Sequence, residues 1–239
     1  MNTDKLSARL AAVAKYVPSG ARVADIGSDH AYLPCFLAKK KGISFGIAGE
    51  VAVGPFQLAE RNVLAEGLTD IISVRMGDGL EVIEDGEVDC ITIAGMGGAL
   101  IASILENGKE KLTSVKRLVL QPNINAISIR QWFIENHWEL IAEEILEEDG
   151  KIYEILIGEK GDPYKPYNKN QDLGLLVGPF LVEELDDTFK KKWTAELNNW
   201  KRIYKALENA AQSPETEDKK QEIIGKIKLV QEVLMDENS

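Results

Sequence analysis

The chain has 239 residues, enough for one full α/β core and a smaller appendage. Its formal net charge is -11, with 39 acidic against 28 basic residues, which argues against a bulk electrostatic grip on nucleic acid and leaves only a local basic face for such a partner. Cys35, Cys90, His30 and His137 lack the spacing of a zinc site, so no metal is expected and the cysteines read as buried, reduced thiols. No run approaches the roughly 20 apolar residues of a membrane span, and the amino terminus carries no cleavage signal. A cytoplasmic protein with no membrane partner is expected.

Leu6, Leu10, Val13 and Val17 recur at helical spacing, and Pro18-Ser19-Gly20 ends that helix. A short apolar strand, Arg22 to Ile26, runs into Gly27, turns through Ser28, Asp29 and His30, and leads to a helix through Phe36 to Lys41. The strand SFGIAGE ends at Glu50, followed by a helix from Val53 to Glu66 and a strand from Ile71 to Arg75. Another strand spans Val88 to Ala94, and a helix follows the glycines of AGMGG (Ala94 to Gly98). The strand from Arg117 to Gln121 leads into a helix through Trp132. Short apolar strands with helical segments between them mark a buried parallel sheet. After Asn136 two extended runs, WELIAEEILEE and KIYEILIGE, are joined by Asp149-Gly150, a hairpin turn. Residues 1–160 therefore predict an α/β, Rossmann-like methyltransferase sheet, parallel with a terminal antiparallel hairpin.

Residues 161–239 predict a second domain. The join GDPYKPYNKN (Gly161 to Asn170) precedes a short segment with Leu175, Leu176 and Phe180 around Gly178-Pro179. Phe189, Trp193, Leu197, Trp200, Tyr204 and Leu207 then alternate in steps of four and three. Ser213-Pro214 breaks the run, and Ile223, Ile227, Val230 and Leu234 resume it. Two such stripes predict an antiparallel helical hairpin, a small coiled coil.

The chemistry gathers where strands end. Asp25 near the end of the first strand and Glu50 at the end of the next are placed as a doubly wound sheet places carboxylates around an adenosine cofactor. The first loop has one glycine where a dinucleotide fingerprint needs three, so it cradles no pyrophosphate. A small cationic nucleoside, S-adenosyl-L-methionine, suits it better. Asp25 and the amides near Gly27 suit its methionine end, and Glu50 suits its ribose diol. Asp78 in the GDGL loop and the Gly79 amide suit its adenine. An acidic residue after a strand also serves as a turn former or helix cap, which leaves both readings open for Asp78 and Asp29. AGMGG lets a planar acceptor approach the backbone closely, or serves only as a tight turn. The position lacks the Asn/Asp-Pro-Pro-aromatic element that holds an exocyclic amine, which disfavours adenine N6 and leaves a ring nitrogen as acceptor.

LSARL (Leu6 to Leu10), DIGSDHAYLP (Asp25 to Pro34), Gly49-Glu50, GDGL (Gly77 to Leu80), AGMGG and QPN (Gln121 to Asn123) occur in this order. Together they resemble the bacterial tRNA (adenine-N1)-methyltransferases that modify adenosine at tRNA position 22. The carboxyl-terminal hairpin is similar to that family's coiled-coil appendage. The resemblance implies a class I methyltransferase fold, S-adenosyl-L-methionine as donor and tRNA as partner. It carries cofactor binding onto Asp25, Gly27, His30, Glu50, Asp78 and Gly79; Gly95 is a further cofactor-binding candidate, and Arg9, Met96, Gly97 and Asn123 are the candidates for substrate contact. Asp29 becomes the catalytic candidate, in a protein expected to act as a monomer. A methyltransferase acting on another RNA site or on a small molecule is the alternative. Candidate cations for an RNA backbone are Arg9, Lys39-Lys40-Lys41, Lys190-Lys191-Lys192 and the Lys201-Arg202-Lys205 face.

Overall fold

The computed structural model describes residues 2–167, 170–209 and 213–235; Asn168 and Lys169 of the expected join lie outside these. The backbone separates into two compact units, Met1–Lys165 and Pro166–Ser239.

The first unit opens with α1 (Ala8–Tyr16), where the Ser7 hydroxyl accepts from the Leu10 amide at 3.2 Å. There follow β1 (Arg22–Ile26), α2 (Tyr32–Lys40), β2 (Phe45–Glu50), α3 (Val53–Ala65) and β3 (Ile72–Met76). Then come β4 (Cys90–Gly97), α4 (Gly98–Asn107), β5 (Arg117–Ile124), α5 (Ala126–Glu135), β6 (Trp138–Glu148) and β7 (Lys151–Lys160). They form one seven-stranded sheet in the order β3-β2-β1-β4-β5-β7-β6. β1 to β5 are parallel, and β7 runs antiparallel to both β5 and β6. The sheet grows in opposite directions from β1, and right-handed crossovers then put α2 and α3 on one face and α4 on the other. That reversal opens a crevice at the carboxyl ends of β1 and β4.

Coverage on both faces explains the apolar strands. Val23, Ala24, Ile26, Ile91, Ile93 and Leu118 are all buried, and each fully buried Ile or Leu contributes about 1.5–3 kcal/mol. Buried charge ties α5 to the hairpin: Arg130 donates at 2.8 Å to Glu143 through Nε and at 2.8 Å to Glu154 through Nη2. All three side chains are buried, so each charge depends on its partners.

α2 begins at Tyr32, directly after the turn through Ser28, Asp29 and His30, and Pro34 falls in its first turn, where its missing N–H is not needed. Two strands run further than the sequence expectation. β4 continues beyond Ala94 and β5 beyond Gln121, pairing Met96 with Pro122 and Gly97 with Ile124 across register shifts. Gly95, at φ +81°, is the residue that lets β4 step out of register and go on. The glycines of AGMGG thus extend a strand before they admit a helix.

The second unit contains α6 (Gln171–Val177), α7 (Leu181–Glu184), α8 (Asp187–Glu208) and α9 (Pro214–Met235). The Asp186 carboxylate caps α8, accepting from the Phe189 amide at 2.7 Å. α8 and α9 pack against each other, and Phe189, Trp193 and Leu197 of the first and Ile223 and Val230 of the second are all buried. Trp193 lies 6.1 Å from the Phe189 ring and 6.0 Å from that of Trp200. Trp200, Tyr204 and Leu207 are only half-buried, so the seam loosens toward the end of α8.

Candidate active site

β1 lies between β2 and β4, so their carboxyl ends present side chains to one crevice. Asp25 is 4% exposed, and both of its oxygens are held at 2.6 Å, by the Ser28 hydroxyl and by the Thr92 hydroxyl from β4. Burial pushes its carboxyl up to about pKa 6, against the opposing pull of those two hydroxyls. Gly27 follows at φ +68°, and the Gly27 and Ser28 amides donate to the Gly49 carbonyl at 2.9 and 3.1 Å. A Cβ on Gly27 would stand 2.3 Å from Met96 Cε, a flexible tip that can swing aside, so it is the left-handed turn that calls for glycine here.

Asp29, His30 and Ala31 then take φ of 42°, 69° and 57°, three successive left-handed residues without a glycine. Such residues cost about 1–3 kcal/mol each and persist only where their surroundings impose them. One such tether is the Asn62 amide from α3, which donates to the His30 carbonyl at 2.8 Å. The cap position of α2 is Ala31, which offers no side-chain bond, so Asp29 is not the cap of this helix. Its carboxylate is 74% exposed and lies 3.2 Å from His30 Nε2.

Glu50 ends β2 buried, and its Oε1 has no hydrogen-bond partner among the described residues. Burial raises its pKa, while the Asp29 amide pulls the other way. A buried acceptor left without a donor costs about 1–3 kcal/mol, a cost that an incoming hydrogen-bond donor would remove. Val51 and Val53 beside it are exposed, offering an apolar surface to a planar ring. Asp78 and Gly79 follow β3 in a separate recess of about 150 Å³, with Ile104 and Lys111. Asp78 is exposed, and its amide donates to the Glu81 carboxylate at 3.1 Å.

Arg9, Asp25, Gly27, Asp29, Gly95 and Met96 line one cleft of about 300 Å³. His30, Glu50, Gly97 and Asn123 do not line it. Asn123 is exposed and donates to the Gly95 carbonyl at 2.7 Å, bracing the end of β4. Three residues without an assigned role in the sequence reading prove central: Ser28, Thr92 and Gln121. Thr92 stands opposite Asp25 in the β1–β4 register, and that register is the signal that would have found it. Gln121 is fully buried and joins Arg9 to Gly95.

Of the candidate cations, Lys39 is engaged at 2.7 Å with both Asp4 and Glu66, and Lys41 donates to the Lys15 carbonyl. The 39–41 run is therefore partly engaged within the unit. Lys201, Arg202 and Lys205 on α8 are exposed. Among the described residues, no group of three or more His, Cys, Asp or Glu is placed to hold a metal ion. No described helix is long and apolar enough to cross a membrane.

The family model for tRNA (adenine(22)-N(1))-methyltransferase matches residues 23–232. A Bacillus subtilis tRNA (adenine(22)-N(1))-methyltransferase is 53% identical over 235 residues, covering 98% of this chain and 99% of its own length. The crystal structure of a B. subtilis tRNA methyltransferase of this specificity superposes with a TM-score of 0.93 at 52% identity, over 97% of this chain and 99% of that one. A Streptococcus pneumoniae structure in complex with S-adenosyl-L-methionine gives 0.80 at 42% identity, over 96% and 100%. With the family model spanning most of the chain and a relative sharing more than half of its residues, the chain belongs to the tRNA (adenine(22)-N(1))-methyltransferase family.

Proposed function

We propose that the protein transfers a methyl group from S-adenosyl-L-methionine to N1 of adenosine 22 in tRNA. The observation that carries this reading is the buried, unpartnered Glu50 Oε1 at the end of β2, on the strand next to the Gly27 turn. When bound, S-adenosyl-L-methionine supplies an electrophilic methyl group. Glu50 accepts from its ribose hydroxyls, and Asp78 with the Gly79 amide addresses its adenine. Asp25, the Gly27 turn and Gly95 hold its methionine end, where the Asp25 carboxylate favours an ammonium. His30 flanks the donor from the first loop. Residues 1–160 form the catalytic domain and residues 161–239 the appendage that helps to hold tRNA, in a cytoplasmic monomer.

Arg9, Met96, Gly97 and Asn123 meet the substrate. A base inside a folded RNA has to leave its stack to reach such a cleft. Adenine N1 carries its lone pair in the ring plane, so no base is needed before transfer. The product is a cationic ring whose N6 proton is more acidic. The exposed Asp29 carboxylate accepts from N6 and stabilises that charge, help of a kind typically worth about 10²–10⁴-fold. Alignment of the reacting atoms supplies much of the remainder. Incubation with labelled donor and unmodified tRNA, followed by nucleoside analysis, tests the reading. Label in 1-methyladenosine is expected; label only in another nucleoside, or only in free metabolites, contradicts it.

A further inference from the structure

The side chain of Gln121 has an unusual position. It is fully buried at the carboxyl end of β5, yet its single amide oxygen accepts from two directions. One donor is the Arg9 guanidinium, through Nη1, and the other is the Gly95 amide at 3.0 Å. Its own amide nitrogen is used at 2.8 Å by the Pro122 carbonyl, which fixes which end of the amide faces Arg9. Arg9 itself is confined on further sides. Its Cζ lies 5.5 Å from the centre of the Tyr153 ring, within cation–π range. The guanidinium lies over Gly95, whose φ of +81° favours glycine and where an added Cβ would meet Nη1 at 3.4 Å, an ordinary van der Waals contact. The Glu148 carboxylate receives the Ala8 and Arg9 backbone amides and pins the start of α1.

Among the described residues, no carboxylate pairs with the Arg9 guanidinium, although the protein carries 39 acidic residues. A guanidinium has five donors in a planar fork. Here one nitrogen is committed to a neutral amide, and the side chain lines the cleft that also contains Gly27 and Asp29. A positive charge held in place by a neutral partner keeps its full charge for a ligand.

We propose that Gln121 is a positioning residue that aims Arg9 as an oxyanion clamp within the methyl-transfer cleft. The proposal rests on the methyltransferase reading, which offers two oxyanions of suitable chemistry. One is the carboxylate of the donor's methionine end; the other is a phosphodiester of the tRNA. Gln121 touches neither, and acts through Arg9 and through the Gly95 amide.

The test compares the full-length protein with Arg9→Ala, Gln121→Met and the double variant. Calorimetry measures binding of S-adenosylhomocysteine, which keeps the amino-acid carboxylate, and of methylthioadenosine, which lacks it. Filter binding measures the salt dependence of tRNA affinity. If the donor's carboxylate is the ligand, both single variants lose roughly ten- to a hundredfold in affinity for S-adenosylhomocysteine and nothing for methylthioadenosine. If a phosphodiester is the ligand, donor binding is unchanged and the log–log salt slope falls by about one in both. In either case the double variant is no worse than Arg9→Ala, because the two residues act as one unit. An Arg9→Ala protein with unchanged binding in both arms overturns the clamp. Additive losses, an undiminished Arg9-dependent affinity in Gln121→Met, or equal losses for both nucleosides overturn the positioning role. A wild-type protein that binds neither S-adenosylhomocysteine nor tRNA would instead sink the methyltransferase reading itself.

Discussion

Asp25 and Glu50 carry the electrostatic character of the site. Both are buried, and burial raises the pKa of each, that of Asp25 to about 6. A carboxyl whose folded pKa lies above its unfolded value lends stability that is fully present below the unfolded value and is lost as pH rises through the folded one. For Asp25 that window runs from about 4 to about 6. The ligand-free protein should therefore lose thermal stability across this range, while affinity for the cationic donor rises as the carboxylate ionises. Melting curves and calorimetry across and just beyond this window measure both, and Asp25→Asn should flatten both; a wild-type donor affinity independent of pH contradicts the assignment. Asp29 is the other residue to change. Asp29→Ala should slow single-turnover methyl transfer by about 100-fold or more while leaving donor affinity intact. An undiminished rate removes its catalytic role. Asp25 and Glu50 were legible because strand ends can be read from apolar runs. Thr92 and Gln121 were not, because strand pairing brings Thr92 to Asp25 and the packing of α1 on the sheet brings Arg9 to Gln121, and neither leaves a trace in local composition. Nor does propensity reveal a left-handed run of Asp29, His30 and Ala31, since these conformations are imposed from outside the loop.

At the scale of elements, the extension of β4 and β5 beyond the sheet is what shapes the cleft. It depends on glycines for reasons of contact as well as of conformation. A Cβ on Gly98 would lie 2.0 Å from the Asn125 carbonyl oxygen, a backbone atom that cannot swing aside. Gly98→Ala should destabilise the protein by about 1–3 kcal/mol, read as a lower denaturant midpoint, and should depress methyl transfer further than that loss explains. Wild-type stability and rate together would show that the lip tolerates rearrangement. The element types from β1 through β7 were readable because period and turn chemistry agreed, most clearly at Asp149-Gly150. The ends of β4 and β5 were misread because a glycine serves more than one purpose. The glycines of AGMGG suit a tight turn or a close approach, and here they carry a bulge along which the strand continues.

For the whole molecule the question is how a protein of net charge -11 holds a polyanion. The exposed Lys201, Arg202 and Lys205 on α8 are candidates for that task, since the 39–41 run is partly neutralised within its own unit. Reversing all three to glutamate should weaken tRNA binding by tenfold or more at low salt and reduce its salt dependence, with S-adenosylhomocysteine affinity unchanged. Unaltered tRNA binding would place the backbone contacts elsewhere. The proposed function is transfer of a methyl group to N1 of one particular adenosine. Its most direct test is single-turnover transfer from labelled donor to two tRNA transcripts that differ only in carrying adenosine or guanosine at position 22. Stoichiometric labelling of the first as 1-methyladenosine, with none in the second, is the expected result; equal labelling of both transcripts, or of neither, contradicts it.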